Sequence, residues 1–252
     1  MNNEYREKIA SEFRDTCNRT LERVANRDGG HQPFHEALLT DDIRKFSAFE
    51  RSFSTSFGQR AIEVISEYVV LSNGADEAKR QKETIVSLSE PVLAGIDEHD
   101  RLLRAGSLTP REKLFDYALV NLPGANPTDN KVSVRVISDL WWRKDDVNHY
   151  VSIKTVKPNI DQTAQAKRDM LTLKAGDETA RTYFGLYYNP FDEARSSYSH
   201  NPPFSVFDMI NDPVVLIGKD YWDTLGGDGC YEELLEIAQE VGIETHRRLS
   251  LL

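Results

Sequence analysis

Cysteine is scarce in this sequence, with only Cys17 and Cys230 among 252 residues. Two cysteines this far apart offer neither a zinc-binding spacing nor a disulfide framework. No run of about 18 apolar residues is present, which excludes a transmembrane helix. The first residues, MNNEYREKIASEF, are polar and lack the apolar segment of a signal peptide. We therefore expect a cytoplasmic protein that does not enter a membrane.

Basic residues are outnumbered by acidic ones, with 31 Lys and Arg against 41 Asp and Glu and a formal net charge of −10. This balance argues against a protein that coats DNA, because such proteins are usually basic. The charge is unevenly spread, however. Residues 141–168 hold six Lys or Arg and three Asp, whereas residues 221–240 hold six acids and neither Lys nor Arg. The sequence therefore allows a basic site on an acidic body.

The first half of the chain has the apolar spacing of amphipathic helices. This spacing predicts a helix over residues 4–26 and a second helix that Thr40 caps. A third helix is predicted to begin at Ser56, because Gln59 three residues later completes a capping-box pattern. Residues 76–105 are charged and are also predicted to be helical.

The pattern changes near residue 130, where apolar and polar residues begin to alternate as they do in half-buried strands. The predicted elements of this half are, in order, two strands joined by a turn at 144–146 over 131–156, a helix over 161–174, strands over 181–188 and 214–217, and a helix over 231–248.

Helices first, and then strands with helices between them, predict an α/β or α+β fold with a mixed central sheet flanked by helices. The hydrophobic fraction of 39% is that of a folded protein, and no segment reads as a linker. We predict one domain over residues 1–252, with 1–105 largely helical and 106–252 carrying the sheet and the active site.

One segment, DLWWRKDDVNHYVSIKTVKPN from Asp139 onwards, carries residues of distinctive chemistry. Ser152 and Lys154 are two apart, so a strand points both side chains to one face. If the two predicted strands pair across the turn, Asp139 and Lys154 lie near each other on that face. A carboxylate can hold a hard cation such as Mg²⁺, and a nearby Lys can orient water and stabilise charge. The pair therefore has the chemistry of phosphodiester hydrolysis.

This segment also resembles a known family. Asp139, Ser152, Ile153 and Lys154 resemble the PD-(D/E)XK nuclease motif in an S-x-K variant. The run IKTVKPN at 153–159 is similar to a segment of type II restriction endonucleases, in particular of the TdeIII-like group. Three further stretches are similar to that group, namely RSFSTSFGQ at 51–59, YYNPF at 187–191 and GKDYW at 218–222.

The resemblance implies a PD-(D/E)XK nuclease core with a helical N-terminal region. It implies an endonuclease that cuts double-stranded DNA with Mg²⁺, acts as a homodimer at a short palindromic site and leaves a 5′-phosphate. Asp139, the Ile153 carbonyl and one further acid would hold the Mg²⁺. Lys154 would position the attacking water.

Ser152 departs from the family pattern, because Glu or Asp usually stands there and Ser is a weak Mg²⁺ ligand. In one explanation the carboxylate has moved to the following helix, with Asp169 as the first candidate and Asp161 as the second. In another, Glu63 on a preceding helix supplies it. In the third, the site is inactive, by nature or by replacement of a Glu, and the chain binds DNA without cutting it. A helical interaction protein without a DNA role is a more distant alternative, which the net charge favours.

Candidates for DNA contact follow from residue chemistry, since Lys suits phosphates and amide side chains suit adenine edges or the backbone. They are Lys157, Asn159, Gln162 and Gln165 after the second strand, Arg143 near the turn, and Arg195 in the polar loop 189–205. The resemblance implies one more, Ser54 in the stretch 51–59.

Overall fold

The computed structural model describes residues 1–26, 30–126 and 128–249. Its first helices are α1 (Asn3–Ala25), α2 (Pro33–Leu38), α3 (Asp41–Ser56) and α4 (Ile62–Ser72), and a π-helical turn (Phe57–Ala61) joins α3 to α4. The predicted α1 is confirmed. The Thr40 side chain caps α3 by accepting the N–H of Ile43 at 3.4 Å, also as predicted.

The predicted helix start at Ser56 is wrong. Ser56 has helical φ and ψ of −67° and −39°, and its side chain caps nothing. The helix continues instead, because the π-helical turn accommodates an extra residue without breaking the chain of hydrogen bonds. Phe53 and Phe57 stack along the last turn of α3 with ring centroids 5.2 Å apart, which stabilises the passage from α3 into the π-helical turn.

The helix predicted over 76–105 is also wrong in its first half, where the structure has strand β1 (Glu77–Ser89) followed by α5 (Glu90–Arg104). The charged residues at its start are helix formers, but their pairing with a neighbouring strand overrides that preference. The alternation of buried Val86 and Leu88 with exposed Ile85 is a strand signal. The part of the chain predicted to be largely helical therefore contributes one strand to the sheet.

Five strands form one mixed sheet in the order β1-β2-β3-β4-β5 within the described residues. The further strands are β2 (Lys131–Lys144), β3 (Val147–Lys154), β4 (Arg181–Leu186) and β5 (Val215–Ile217). The first three are antiparallel neighbours, whereas β3, β4 and β5 run parallel. Asp145 and Asp146 have φ of 52° and 59°, as a two-residue type I′ hairpin turn requires. The predicted strand pair and its turn are confirmed.

The sheet separates two apolar cores, because successive strand residues point to opposite faces. The remaining helices are α6 (Phe115–Val120), α7 (Ile160–Gly176), α8 (Asn201–Phe204), α9 (Lys219–Gly226) and α10 (Cys230–Leu249). On one face Trp141 and Tyr150 pack with residues of α5, α6 and α7. On the other face Trp142 and Val151 pack with residues of α1, α4, α9 and α10. This arrangement confirms the predicted α/β class with a sheet between helices.

No helix in the described ranges has both the length and the apolar character needed to cross a bilayer.

His149 on β3 is half-buried beside aromatic rings. Its ring stacks on Trp142 at 4.6 Å between centroids, and Nδ1 has no hydrogen-bond partner among the described residues. Burial, and then the charges of Arg181 and Lys144, lower the pKa of His149 to about 4. Between pH 6.5 and 4 the unfolded chain therefore binds a proton that the folded chain does not, so stability falls as the pH falls through this window.

We expect His149→Phe to reduce this acid sensitivity, because Phe keeps the stacking and cannot bind a proton. Between pH 6.5 and 4.5 the variant should lose about 1 to 2 kcal/mol less unfolding free energy than the parent chain, a figure reduced for partial solvent exposure. Urea unfolding at the two pH values measures the difference. His35→Phe, at an exposed position, is the control. Equal losses in the parent and His149→Phe would contradict the prediction.

Candidate active site

Asp139 lies where β2 separates from β3. The paired register of the two strands runs from the turn to Leu140 opposite Val151, and Asp139 is the first residue of β2 outside it. The carboxylate of Asp139 then takes up the freed backbone donor, and the N–H of Ile153 donates to Oδ2 at 2.7 Å. The side chain is thereby fixed in the gap between the two strands.

Lys154 lies beside the Asp139 carboxylate, as the strand spacing predicts. Its Nζ donates to Oδ2 of Asp139 at 2.9 Å, and Ser152 Oγ lies 3.5 Å from the same oxygen. The Asp139 and Lys154 side chains are 21% and 22% exposed, so both remain open to a ligand. The structure thus brings together an acid, a lysine and the serine of the S-x-K motif.

A cavity of about 470 Å³ lies beside Ser152 and Lys154, between the sheet and α7. Its lining includes Ser152, Lys154, Arg104, Gln162, Gln165 and Asp169. Ser152 and Lys154 face it together, in agreement with the prediction that they share one face of the strand. The cavity gives a substrate access to the lysine.

Gln81 on β1 links Asp139 to a second acid, and the sequence analysis missed it. Its Nε2 donates to Glu63 Oε1 at 3.0 Å and to Asp139 Oδ1 at 3.3 Å. Burial raises the pKa of Glu63, the Gln81 hydrogen bond lowers it, and the charge of Asp139 raises it further. Gln81 was missed because residues 76–105 were predicted to form a helix, which would have placed it elsewhere. Its one local signal is the strand alternation that follows it.

The other candidate acids have different surroundings. Asp169 on α7 lines the cavity, and its carboxylate accepts a hydrogen bond from Gln165 Nε2 at 2.9 Å. Burial raises the pKa of Asp169. Asp161 accepts from Arg104 at 2.5 Å and its side chain is 77% exposed. Neither carboxylate shares a hydrogen-bond donor with Asp139, as Glu63 does.

The first turn of α7 carries the amide side chains predicted to contact DNA. Asn159 caps the helix by accepting the N–H of Gln162 at 2.8 Å, and the Gln162 side chain accepts the N–H of Asn159 at 3.2 Å. Lys157 is exposed just before the cap, with Nζ 5.3 Å from the ring centre of Phe191. The capping box therefore orders this turn at the mouth of the cavity.

The remaining predicted contacts lie apart from the site. Arg143 is exposed at the hairpin end of β2, opposite Asn148. Ser54 on α3 hydrogen-bonds Glu50 at 2.8 Å. Arg195 donates to the carbonyls of Met209 at 2.9 Å and Asp212 at 2.6 Å, so its guanidinium serves the fold.

Comparisons with known proteins identify the family of this chain. A family model described as "Type II restriction endonuclease, HinfI" matches residues 1–242. The chain belongs to the HinfI family of type II restriction endonucleases. The more specific likeness to the TdeIII-like group is not confirmed by this match. No solved structure matches the chain.

Three curated relatives of this HinfI-family chain come from Herpetosiphon aurantiacus. The type II restriction enzyme HgiCII is 29% identical over 228 residues, which cover 86% of this chain and 79% of that enzyme. HgiEI is 28% identical and HgiBI 27% identical, and each match covers 95% of this chain and 86% of the relative. Membership of the family makes this chain a site-specific DNA endonuclease.

Type II restriction endonucleases generally use a divalent metal ion, and the side chains around Asp139 include the carboxylate oxygens that such an ion prefers. In the described part of the chain, no three His, Cys, Asp or Glu side chains converge on one point. Mg²⁺ does not require this, because it is usually held by one or two carboxylates together with water and substrate phosphates. Asp139 and Glu63, which share the Gln81 amide, provide such a pair.

Proposed function

We propose that this chain hydrolyses phosphodiester bonds of double-stranded DNA at a short palindromic site, as a homodimer that depends on Mg²⁺. The observation that carries the proposal is the group of side chains in contact around Asp139. There Lys154 Nζ lies 2.9 Å from the carboxylate, and Gln81 joins that carboxylate to Glu63. Two acids, a lysine and an adjoining cavity form a set suited to hydrolysis of a phosphate ester.

Asp139, Glu63 and the carbonyl of Ile153 would hold the cation. In a strand the N–H and C=O of one residue point towards the same neighbour. Since the Ile153 N–H reaches Asp139, its carbonyl faces the same gap. When bound there, Mg²⁺ withdraws charge from the phosphate and makes water more acidic.

Lys154 would position the attacking water. Its ammonium group lies at the edge of the cavity, where it also stabilises the negative charge that develops on the phosphate. The ion pair with Asp139 fixes its direction before DNA arrives. We expect products with a 5′-phosphate and a 3′-hydroxyl.

Glu63, rather than Asp169, supplies the second carboxylate in this proposal. By sequence alone Asp169 is the first candidate, because it follows the S-x-K motif on the next helix. The structure instead favours Glu63, whose carboxylate shares a donor with Asp139, whereas Asp169 is hydrogen-bonded within its own helix. Ser152 then needs no charge of its own, since its Oγ only approaches Asp139.

The mouth of the cavity would meet the DNA. Lys157 is exposed and free to approach a phosphate, while Asn159, Gln162 and Gln165 present amides nearby. A palindromic site matches a protein with twofold symmetry. The exposed apolar side chains of α2 and α3 offer surface for a partner subunit, and they include Phe34, Leu38, Ile43 and Phe46.

Digestion of a phage DNA of known sequence tests the proposal. With Mg²⁺ the purified chain should produce discrete fragments whose ends fall at one palindrome, and EDTA should abolish them. Light scattering should report twice the mass of one chain. A random smear, or no cleavage with either Mg²⁺ or Mn²⁺, would show that the proposed reaction is wrong.

The second candidate is a DNA-binding protein that has lost cleavage, and Ser152 at the usual acidic position favours it. In that case the parent chain retards DNA in a gel but does not cut it. Ser152→Glu should then produce discrete fragments. Cleavage by the parent chain excludes this candidate.

A further inference from the structure

Gln81 has an unusual backbone for a residue inside a strand. Its φ is +49°, in the left-handed region. The ladder between β1 and β2 pairs Arg80 with Leu140 and Lys82 with Ser138, but it omits Gln81 and Asp139 between them. The irregularity therefore lies level with Asp139.

On either side of Gln81 and Asp139, side chains of the same parity point to opposite faces of the sheet. On β2, Val136 packs in the core on the α7 side, whereas Leu140 packs in the core on the α4 side, although both are even-numbered. On β1, Val86 packs on the α7 side and Ala78 on the α4 side. A regular strand keeps residues of equal parity on one face. The irregularity at Gln81 and Asp139 therefore directs their side chains away from the regular pattern.

Glycine would occupy this backbone position at lower cost, because a Cβ is disfavoured in the left-handed region. A residue other than Gly, Asn or Asp is uncommon there, so what its side chain contacts is informative. The Gln81 amide nitrogen has two hydrogens, and it directs them to two different carboxylates, those of Glu63 and Asp139.

The two carboxylates need such a donor before a cation arrives. They carry like charges and lie on separate elements, α4 and β2. Oδ2 of Asp139 is already held by Ile153 and Lys154, so Oδ1 is the oxygen left to face Glu63. Without Gln81, repulsion would turn the Glu63 side chain away.

We propose that Gln81 is a positioning residue, whose amide holds the carboxylates of Glu63 and Asp139 side by side so that they bind one divalent cation together. This inference rests on the proposed function and adds a residue to it. Gln81 holds the cation ligands and does not touch the reacting atoms.

Two variants of Gln81 test this role. Gln81→Gly removes the amide and relieves the backbone, whereas Gln81→Met keeps the side-chain length and removes the N–H donors. Mn²⁺ binding is measured by calorimetry on the DNA-free chain. We expect the Mn²⁺ dissociation constant to rise roughly tenfold or more in both variants. Glu83→Gly, an exposed change on the same strand, is the control.

Two further readouts separate positioning from folding. Gln81→Gly should unfold in urea at the same denaturant concentration as the parent chain or a higher one, despite its weaker cation binding. Its cleavage rate should recover at high Mg²⁺, whereas that of Lys154→Ala should not.

The outcomes also separate this inference from the proposed function. If the parent chain binds Mn²⁺ and cuts DNA, and both Gln81 variants bind Mn²⁺ equally well, only the role of Gln81 is wrong. If the parent chain binds Mn²⁺ but cuts no DNA with Mg²⁺ or Mn²⁺, the proposed function is wrong; if it cuts DNA but binds no Mn²⁺ without DNA, only the role of Gln81 is wrong.

Discussion

Asp139→Asn should reduce DNA cleavage by roughly 10³-fold and leave DNA binding nearly unchanged. The change keeps the size of the side chain and removes its charge. The proposed cation site then loses its central ligand, and Lys154 loses the partner that lies 2.9 Å away. The phosphate contacts proposed at the mouth of the cavity do not involve Asp139, so affinity for DNA should persist.

The measurement is the rate of plasmid nicking in Mg²⁺, together with DNA affinity in Ca²⁺ by gel retardation. Asp97→Asn is the matched control, because Asp97 is exposed and pairs with Arg168 outside the proposed site. The control should cut at the parental rate. Full cleavage by Asp139→Asn would show that the site lies elsewhere in the chain.

Glu63→Gln should slow cleavage by roughly 10²-fold, whereas Asp169→Asn should change it only a few-fold. Glu63 shares the Gln81 amide with Asp139 and is proposed as the second cation ligand. Asp169 shares no hydrogen-bond donor with Asp139 and accepts instead from Gln165 on its own helix, so it is less suited to complete the proposed pair. The half-maximal Mg²⁺ concentration should rise in Glu63→Gln alone.

Single-turnover cleavage over a series of Mg²⁺ concentrations measures both effects. The two variants serve as controls for each other, since each replaces a partly buried acid by its amide near the same cavity. A severe loss of cleavage rate in Asp169→Asn with a mild loss in Glu63→Gln would show that Asp169, and not Glu63, replaces the acid missing at Ser152. Equal losses would indicate that both acids take part.

The meeting of Asp139 with Lys154 could be predicted because it depends on short-range features. Alternation of period two identifies both strands, and only two residues, Asp145 and Asp146, join them. Turn and alternation together set the register, so residues fifteen apart come together at a definite position. The resemblance of the same segment to a nuclease motif then points to its chemistry.

The first half of the sheet could not be predicted in this way. The start of β1 is rich in residues that favour helices, and it becomes a strand because β2 pairs with it from more than fifty residues away. The same long-range pairing places Gln81 level with Asp139. Local propensity contains no information about such a partner.

The sequence by itself determined the hairpin, its acid and its lysine, because the turn and the alternation that align them lie within one short segment. Only the tertiary structure decided which acid stands beside Asp139. Glu63 reaches it from α4 through Gln81 on β1, and the packing of α4 against the sheet brings these separate elements together. Asp169, nearer in sequence, is held by its own helix instead.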